Sequence, residues 1–453
     1  MSDLIELSAR ELVTAIRRAE VDRSSVLNAV SDRLRRVEPL VNAVPTVVVE
    51  RTRGGHRRRP AGPLAGLPIT VKDVVDVAGL PTTHGSPLRR DAVAERSDPL
   101  VRRLERRGAV VIGKTNVPEF LSGADTVNTL FGRTRNPWDP TVSCGASSGG
   151  AAVSVATGTS WCAHGGDTAG SIRIPAALCG VVGLRPTPGL VTAGGTGEPV
   201  PGFTVHGPIA RDVADAALFL RAMVPREPTP GVEPGPLRRI AFTADLGGRV
   251  PVTPEIAAIC TRTVAAMEGL GYRVVPYAPS VSGVHEACLT LLAYRAAVLH
   301  GARVDRYGER LGSALRAEVA AGRACAPQQV ADAERVRAGF AGRIEAMFAE
   351  HDVLITPTFG QAAWPVRRDL DPLPAGEDLA GVAAQWPLTT LATMAGCPAL
   401  TVPCGRTAAG DPVGLQLIGA PYRDFALLRT GRDVELIRDS APALPVVPAV
   451  PAC

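Results

Sequence analysis

Residues 145–175 read GASSGGAAVSVATGTSWCAHGGDTAGSIRIP. The stretch is dense in glycine, small side chains and hydroxyls, yet Val153, Val155, Trp161, Ile172 and Ile174 give it side chains that belong in a core. A flexible Gly/Ser linker lacks that apolar content. Gly149, Gly150, Gly165, Gly166 and Gly170 mark a backbone that turns tightly or approaches a ligand closely, where a Cβ would obstruct. Two hydroxyls stand near its ends, Ser147 and Ser171, 24 residues apart. A Gly-rich turn closing a helix would account for the stretch taken alone, so its chemistry depends on the rest of the chain.

Upstream, Ser8 and Glu11 form a capping box with Leu7 and Leu12 placed as a staple, and Val26, Leu27, Val30, Leu34 and Val37 recur at helical spacing. These predict an N-terminal helical arm over residues 1–60. Gly62–Gly66 marks a turn, and LPITVKDVVDV then reads as a strand with Lys72 near its end. Leu100–Arg107 reads as a helix closed by Gly108, followed by the buried strand AVVIGKTN. This βαβ-like alternation argues for an α/β fold with a mixed or mainly parallel sheet.

Downstream, GPIARDVADAALFLRAMV is helical, and Pro225–Pro236 is the one plausible internal linker. RRIAFTA and YRVVPYAP read as strands around a helix that starts at Thr253 and Pro254, with 237–350 a candidate inserted lobe. DVLITPT is a further buried strand, ALTVPCG and VGLQLIG suggest the far side of the sheet, and 441–453 is expected to be a flexible Pro-rich tail.

Composition narrows the function classes. The chain has 453 residues, 45% of them hydrophobic, and a net charge of +5, a mild excess that does not call for a nucleic-acid partner. The basic run Arg51–Pro60 has no interleaved aromatics and reads as a solvated loop. The N-terminus lacks the apolar core of a secretory signal, and no segment has the apolar length of a membrane span. Nine scattered cysteines without a CxxC pair suggest reduced thiols and a cytoplasmic protein. There is no GxxxxGK[ST], GxGxxG or HExxH, and no histidine has metal-ligand spacing, so neither a metal nor a cofactor is expected; His84 and His164 read as hydrogen-bonded structural residues.

One compositional fact is sharper: against 47 arginines there are two lysines, Lys72 and Lys114. A general drift from Lys to Arg explains the bias but not the exceptions. Lysine can lose its proton when buried and arginine in practice cannot, so a position that resists replacement is one where a neutral amine is needed. Lys72, within an apolar run, is the better placed for that. Lys114 reads as structural, near the GKTN turn.

The residues resemble the amidase signature hydrolases. The motif runs from Gly145-Ala146-Ser147-Ser148-Gly149-Gly150 to Asp167-Thr168-Ala169-Gly170-Ser171-Ile172-Arg173-Ile174-Pro175, with the family's serine spacing. PITVKD, GKTNVPEF, NPWDP, CGVVGLRPT, GPIARDVADAA, DVLITPT and PVGLQLIG match in order, so the resemblance covers about residues 5–440. It implies an α/β fold, a single large domain over 61–440 whose mixed, twisted central β-sheet is covered by helices on both faces.

It also implies an amide hydrolase that needs no cofactor. Ser171 would be the nucleophile, Ser147 the bridging serine and Lys72 the base; a serine hydroxyl needs such a base, and lysine serves if burial lowers its pKa. Thr168, Ala169 and Gly170 would supply the oxyanion hole, and Ser148, Asp167 and Arg173 would hold the loop. Leu121, Ser122 and Trp386 fall where relatives line the acyl pocket, although core packing explains Leu121 and Trp386 equally well. Ala146 and Ala169 replace common glycines without consequence for catalysis, whereas Gly166 and Thr393 depart from the usual residues in ways that reshape a pocket. The expected partner is a small-molecule amide, with no nucleic acid and no membrane; a homodimer is allowed for. Amide-forming acyl transfer and the glutaminase subunit of a tRNA-dependent amidotransferase are the alternatives on the same triad, and a non-enzymatic scaffold would have lost it.

Overall fold

A computed structural model of the protein describes residues 3–50, 62–194, 198–226, 235, 237–367, 369–370, 386–438 and 444. The basic run at 51–60, most of the Pro-rich segment at 225–236 and nearly all of the 441–453 tail lie outside them.

In chain order the strands are β1 (Thr46–Val47), β2 (Pro68–Lys72), β3 (Val110–Thr115), β4 (Val127–Asn128), β5 (Gly132–Arg133), β6 (Cys162–Asp167), β7 (Val182–Arg185), β8 (Val205–Ala210), β9 (Arg239–Phe242), β10 (Arg273–Pro276), β11 (Val353–Pro357), β12 (Ala399–Arg406) and β13 (Pro412–Gly419). Among the described residues, β4 and β5 pair with each other and the other eleven form one sheet in the order β1-β3-β2-β6-β8-β7-β12-β13-β11-β9-β10. The sheet is mixed: β2 runs parallel to β3 and β6, β9 runs parallel to β10 and β11, and the remaining neighbours are antiparallel.

Both faces of the sheet are buried, as the alternation of a strand's side chains shows. Ile240, Val353, Ile355, Leu400 and Leu417 enter one hydrophobic cluster, while their neighbours Ala241, Leu354, Ala399 and Ile418 enter another. The first cluster is closed by the helices Val213–Met223, Pro254–Glu268 and Asp424–Ile437, the second by Val284–Tyr307, Pro327–Glu350 and Pro387–Ala395. This is the α/β architecture expected from the sequence.

The N-terminal helices share the first cluster, through Leu12, Val13 and Ile16 on Ala9–Arg17 and Val26, Leu27, Val30 and Leu34 on Arg23–Val41. The capping box forms, with the Ser8 N–H donating to Glu11 Oε2 (2.8 Å) and the Glu11 N–H to Ser8 Oγ (3.2 Å). A second, distant cap joins it: the buried carboxylate of Asp215 accepts the N–H groups of Ala9 (2.6 Å) and Arg10 (3.1 Å). Those amides are orphan donors of a first helical turn, and the helix dipole favours an anion there.

Two details differ from the sequence reading. VHGPIA forms β8 ahead of the helix Val213–Met223, a strand that helical periodicity does not reveal. β12 and β13 are not the far side of the sheet but interior strands between β7 and β11; the far edge is β10, reached through β11 and β9. The reason is burial: β12 and β13 are buried on both faces over most of their length, whereas β10 has exposed Arg273 and Pro276, residues that an edge tolerates.

The helix Gly149–Ala156 begins against the end of β3. A Cβ on Gly150 would stand 2.6 Å from the backbone N of Asn116 and 2.7 Å from the carbonyl oxygens of Ala43 and Asn116, none of which can swing away. Gly150→Ala is therefore expected to destabilise by about 1–3 kcal/mol, the scale of core overpacking, read as a lower midpoint in denaturant unfolding.

Candidate active site

Lys72 is the last residue of β2 and Asp167 the last of β6, which lies parallel beside it. The C-terminal ends of parallel strands are where an open α/β sheet presents its ligands. Ser147 and Ser148 lead into the helix Gly149–Ala156, and the loop 168–172 leads into the helix Arg173–Cys179. The Ala146–Ser147 peptide is cis.

Lys72 is fully buried. Its Nζ donates to Ser147 Oγ (2.7 Å), Ser148 Oγ (2.8 Å) and the Gly166 carbonyl (3.3 Å), and it forms no ion pair among the described residues. Burial brings its pKa down to about 7, with the charge of Asp167 opposing the shift. Lys114, the other lysine, is equally buried but differently partnered: its Nζ lies 2.9 Å from Asp73 Oδ1 and donates to Pro81 O and Thr82 Oγ1, both at 3.1 Å. The structural reading of Lys114 rests on that pair.

Asp167 is the hub of the loop. Its carboxylate accepts from the N–H groups of Gly170 (3.0 Å) and Ile172 (3.1 Å), from Arg173 Nε (3.0 Å) and Nη2 (2.9 Å), and at 3.5 Å from Arg185 Nη1. Burial alone would raise this carboxyl, but Arg173 and Arg185 overcome it and hold the group well below the usual carboxylate range. Arg173 continues to Thr389 O and Gln416 Oε1, both at 2.7 Å, and Gln416 Nε2 donates to Thr356 Oγ1 and Leu388 O, both at 3.0 Å. Thr389 Oγ1 donates to Ala169 O (2.6 Å) and Thr393 Oγ1 to Thr168 O (2.8 Å), so the helix Pro387–Ala395 clamps the loop from above.

A cavity of about 490 Å³ opens over these groups. Lys72, Ser147 and Ser171 all line it, as do Thr168, Ala169 and Gly170. Ser171 Oγ has no hydrogen-bond partner among the described residues, while its carbonyl accepts the Ser148 N–H (3.1 Å). The Gly170 N–H is committed to Asp167; those of Thr168, Ala169 and Ser171 have no partner among the described residues. Leu121 and Trp386 line the cavity, but Ser122 does not: it is buried, and its hydroxyl donates to Glu318 Oε2 (2.9 Å). Gly166 also faces the cavity, and a Cβ there would stand 3.8 Å from Lys72 Nζ, so the glycine leaves room beside the amine.

Behind Lys72 its backbone N–H donates to His164 Nδ1 (3.4 Å), and His164 Nε2 lies 2.9 Å from His206 Nδ1. That bonding places the proton of both rings on Nε2. Burial lowers both imidazoles, His206 to about 4, so the pair is neutral at pH 7. His206 reaches the cavity wall.

Known proteins share this chain's sequence and fold almost from end to end. A family model described as Amidase matches residues 25–428. The chain belongs to the amidase signature family. It is 33% identical to an acylamidase of Rhodococcus erythropolis, the alignment covering 97% of each chain, and 34% identical to a glutamyl-tRNA(Gln) amidotransferase subunit of Moorella thermoacetica, covering 94% of this chain and 96% of the relative. Among solved structures, a 6-aminohexanoate cyclic dimer hydrolase bound to its substrate superposes with a TM-score of 0.85 at 27% identity, covering 98% of this chain and 99% of that one. A bacterial aryl acylamidase also superposes at 0.85, with 26% identity over 95% of this chain and 96% of its own. With these relatives the amidase is an amide hydrolase, and none of its described helices is long and apolar enough to cross a membrane.

Sequence reading missed Arg185, Thr389, Gln416, His206 and Glu318. For Arg185 and Gln416 there was a signal: each is a polar side chain inside the otherwise apolar runs GVVGLR and VGLQLIG, where a buried polar group demands partners. Removing the charge that both arginines answer is expected to be severe. Asp167→Asn leaves two buried guanidiniums without their counter-charge and should cost about 3–5 kcal/mol in denaturant unfolding.

Proposed function

We propose that this amidase hydrolyses small-molecule carboxamides through an acyl-enzyme on Ser171, with Ser147 as proton relay and Lys72 as base. The observation that carries the reading is the 2.7 Å contact between Lys72 Nζ and Ser147 Oγ, made by a buried amine that has no carboxylate partner among the described residues. Such an amine sheds its proton near neutral pH, which is what a general base requires.

In the forward step Ser171 Oγ attacks the amide carbonyl, its proton passes to Ser147 Oγ, and the Ser147 proton passes to Lys72 Nζ. Collapse of the tetrahedral intermediate breaks the C–N bond, and the departing nitrogen takes the proton back along the same path. Water then repeats the attack on the ester and frees Ser171. For the oxyanion the available donors are the N–H groups of Thr168, Ala169 and Ser171, since Gly170 donates to Asp167. Each such donor is worth about 3 kcal/mol when deleted. Thr389 and Thr393 hold the loop's carbonyls and so aim those N–H groups. Lys72 and Ser147 act on the reacting atoms; Asp167 and Arg173 act as positioning residues.

The cavity volume suits a small molecule. Its walls are largely apolar, with Phe120, Leu121, Ile174, Leu292 and Trp386 among them, which favours a hydrophobic acyl or aryl portion, in keeping with acylamidase and aryl acylamidase relatives. The glutamyl-tRNA(Gln) amidotransferase relatives, equally similar in sequence, support a second reading in which glutamine is the amide. Ammonia release from glutamine exceeding amine release from acyl anilides would favour that second reading.

A fluorophosphonate probe should add to the native chain by intact mass and not to Ser171→Ala, whose turnover should fall by about 10³-fold or more. Equal labelling of both would sink the assignment. Lys72→Arg keeps the charge but not the ability to lose a proton, and should lose activity to a similar extent. Because the neutral amine is the working form, kcat/KM should rise with pH and level off above about 7.

A further inference from the structure

The cavity runs from the sheet into the outer helical layer. Its reactive wall is the loop 168–171 with Lys72 and Ser147, and its opposite members come from the helices Val284–Tyr307 and Ser313–Ala324, which pack against each other. Leu289, Leu292, Ala293, Ala296, Ala317 and Ala321 make that wall apolar. Glu318 interrupts it, and is the one carboxylate among the described residues lining the cavity.

Three cationic or basic groups besides Lys72 line the same space. Arg295 is paired with Glu198, its Nε donating to both carboxylate oxygens at 2.8 and 2.9 Å. His300 is pushed down to about 4 by burial and by Arg303, and His206 is neutral as well. Glu318 itself forms no ion pair among the described residues. Ser122 Oγ donates to its Oε2 at 2.9 Å, and the backbone of Gly123 contributes a further hydrogen bond. Those two contacts fix the direction of the carboxylate without supplying a positive charge. Burial raises Glu318 to about 7; the two hydrogen bonds and the charge of Arg295, which is itself paired with Glu198, oppose that shift without cancelling it.

Resting on the amide-hydrolase reading, we propose that Glu318 is a specificity determinant: it receives a primary ammonium group at the end of the substrate remote from the scissile bond. The substrate class that follows is an amide joined through an apolar chain to an amine. The chain would occupy the Leu and Ala surface, the carbonyl would lie at the loop 168–171, and the ammonium would complete Glu318. A charge-assisted hydrogen bond in a half-buried setting is worth about tenfold to a hundredfold in affinity.

Matched p-nitroanilides of straight-chain acids ending in methyl or in ammonium, over a series of chain lengths, test this. In the native enzyme kcat/KM should favour the ammonium-terminated member at one chain length by about tenfold or more, and that ratio should fall at least tenfold in Glu318→Gln, which keeps the shape and an acceptor for Ser122. A ratio at or below one at every length, or one unchanged by the substitution, overturns the proposal. Calorimetric binding of n-alkylammonium ions against n-alkanols of the same length is a second measurement that needs no turnover. Tighter binding of the ammonium to native protein, lost in Glu318→Gln, supports the site; equal binding of the two ligands overturns it. Should no anilide be hydrolysed and no Ser171 adduct form, the amide-hydrolase reading fails while this binding comparison still decides on Glu318.

Discussion

A single buried carboxylate, Asp167, organises the end of the sheet at which Lys72 and Ser147 meet. It closes the loop on itself through the N–H groups of Gly170 and Ile172, and it anchors that loop to the body through two guanidiniums. Through Arg173 its influence reaches Thr389 and Gln416, hence the helix Pro387–Ala395 and strand β13, more than 200 residues further along the chain. A buried ion cluster of this kind contributes little net stability over an apolar equivalent but is costly to break. What it supplies is a single geometry for the N–H groups beside Ser171.

The two lysines show how partner choice sets chemistry. Both amines are fully buried, but Asp73, next to Lys72 in the chain, faces Lys114. The alternation of strand side chains turns neighbouring residues to opposite sides, and so separates an acid from the amine that precedes it. Lys114 consequently keeps an anion in contact and serves as a tie. Lys72 sees hydroxyls and a carbonyl, and the nearest strong anion, Asp167, already has two guanidiniums as partners. Burial lowers both amines; at Lys114 the contact with Asp73 opposes that shift directly, whereas at Lys72 only the more distant charge of Asp167 does.

The legible part of this molecule was what lies close together in sequence or is rare in composition. Lys72 stood out as one of two lysines, the Gly/Ser stretch stood out by its apolar interleaving, and the capping box at Ser8 is local by nature. Arg185, Thr389, Thr393 and Gln416 were not assigned their roles because each is defined by a partner that only the topology brings near. Ser122 illustrates the converse: its neighbour Leu121 does face the cavity, but a left-handed backbone at Phe120 and Leu121 turns the chain so that the serine points to Glu318 instead. Sheet order was likewise hidden, since apolar strands at the end of a sequence look alike whether they close a sheet or sit within it.

The burial of both lysines has a consequence at the outer surface as well. Every other strongly basic side chain is an arginine, so the protein exposes no ε-amine anywhere. Guanidinium stays protonated to about pH 12 and is a poor nucleophile toward esters, so the exterior holds its positive charge across the alkaline range in which a lysine-rich surface would discharge. Under the acyl-enzyme mechanism proposed above, the serine ester would meet no exposed lysine side chain on the protein's own surface, or on that of a second copy, to which the acyl group could be lost.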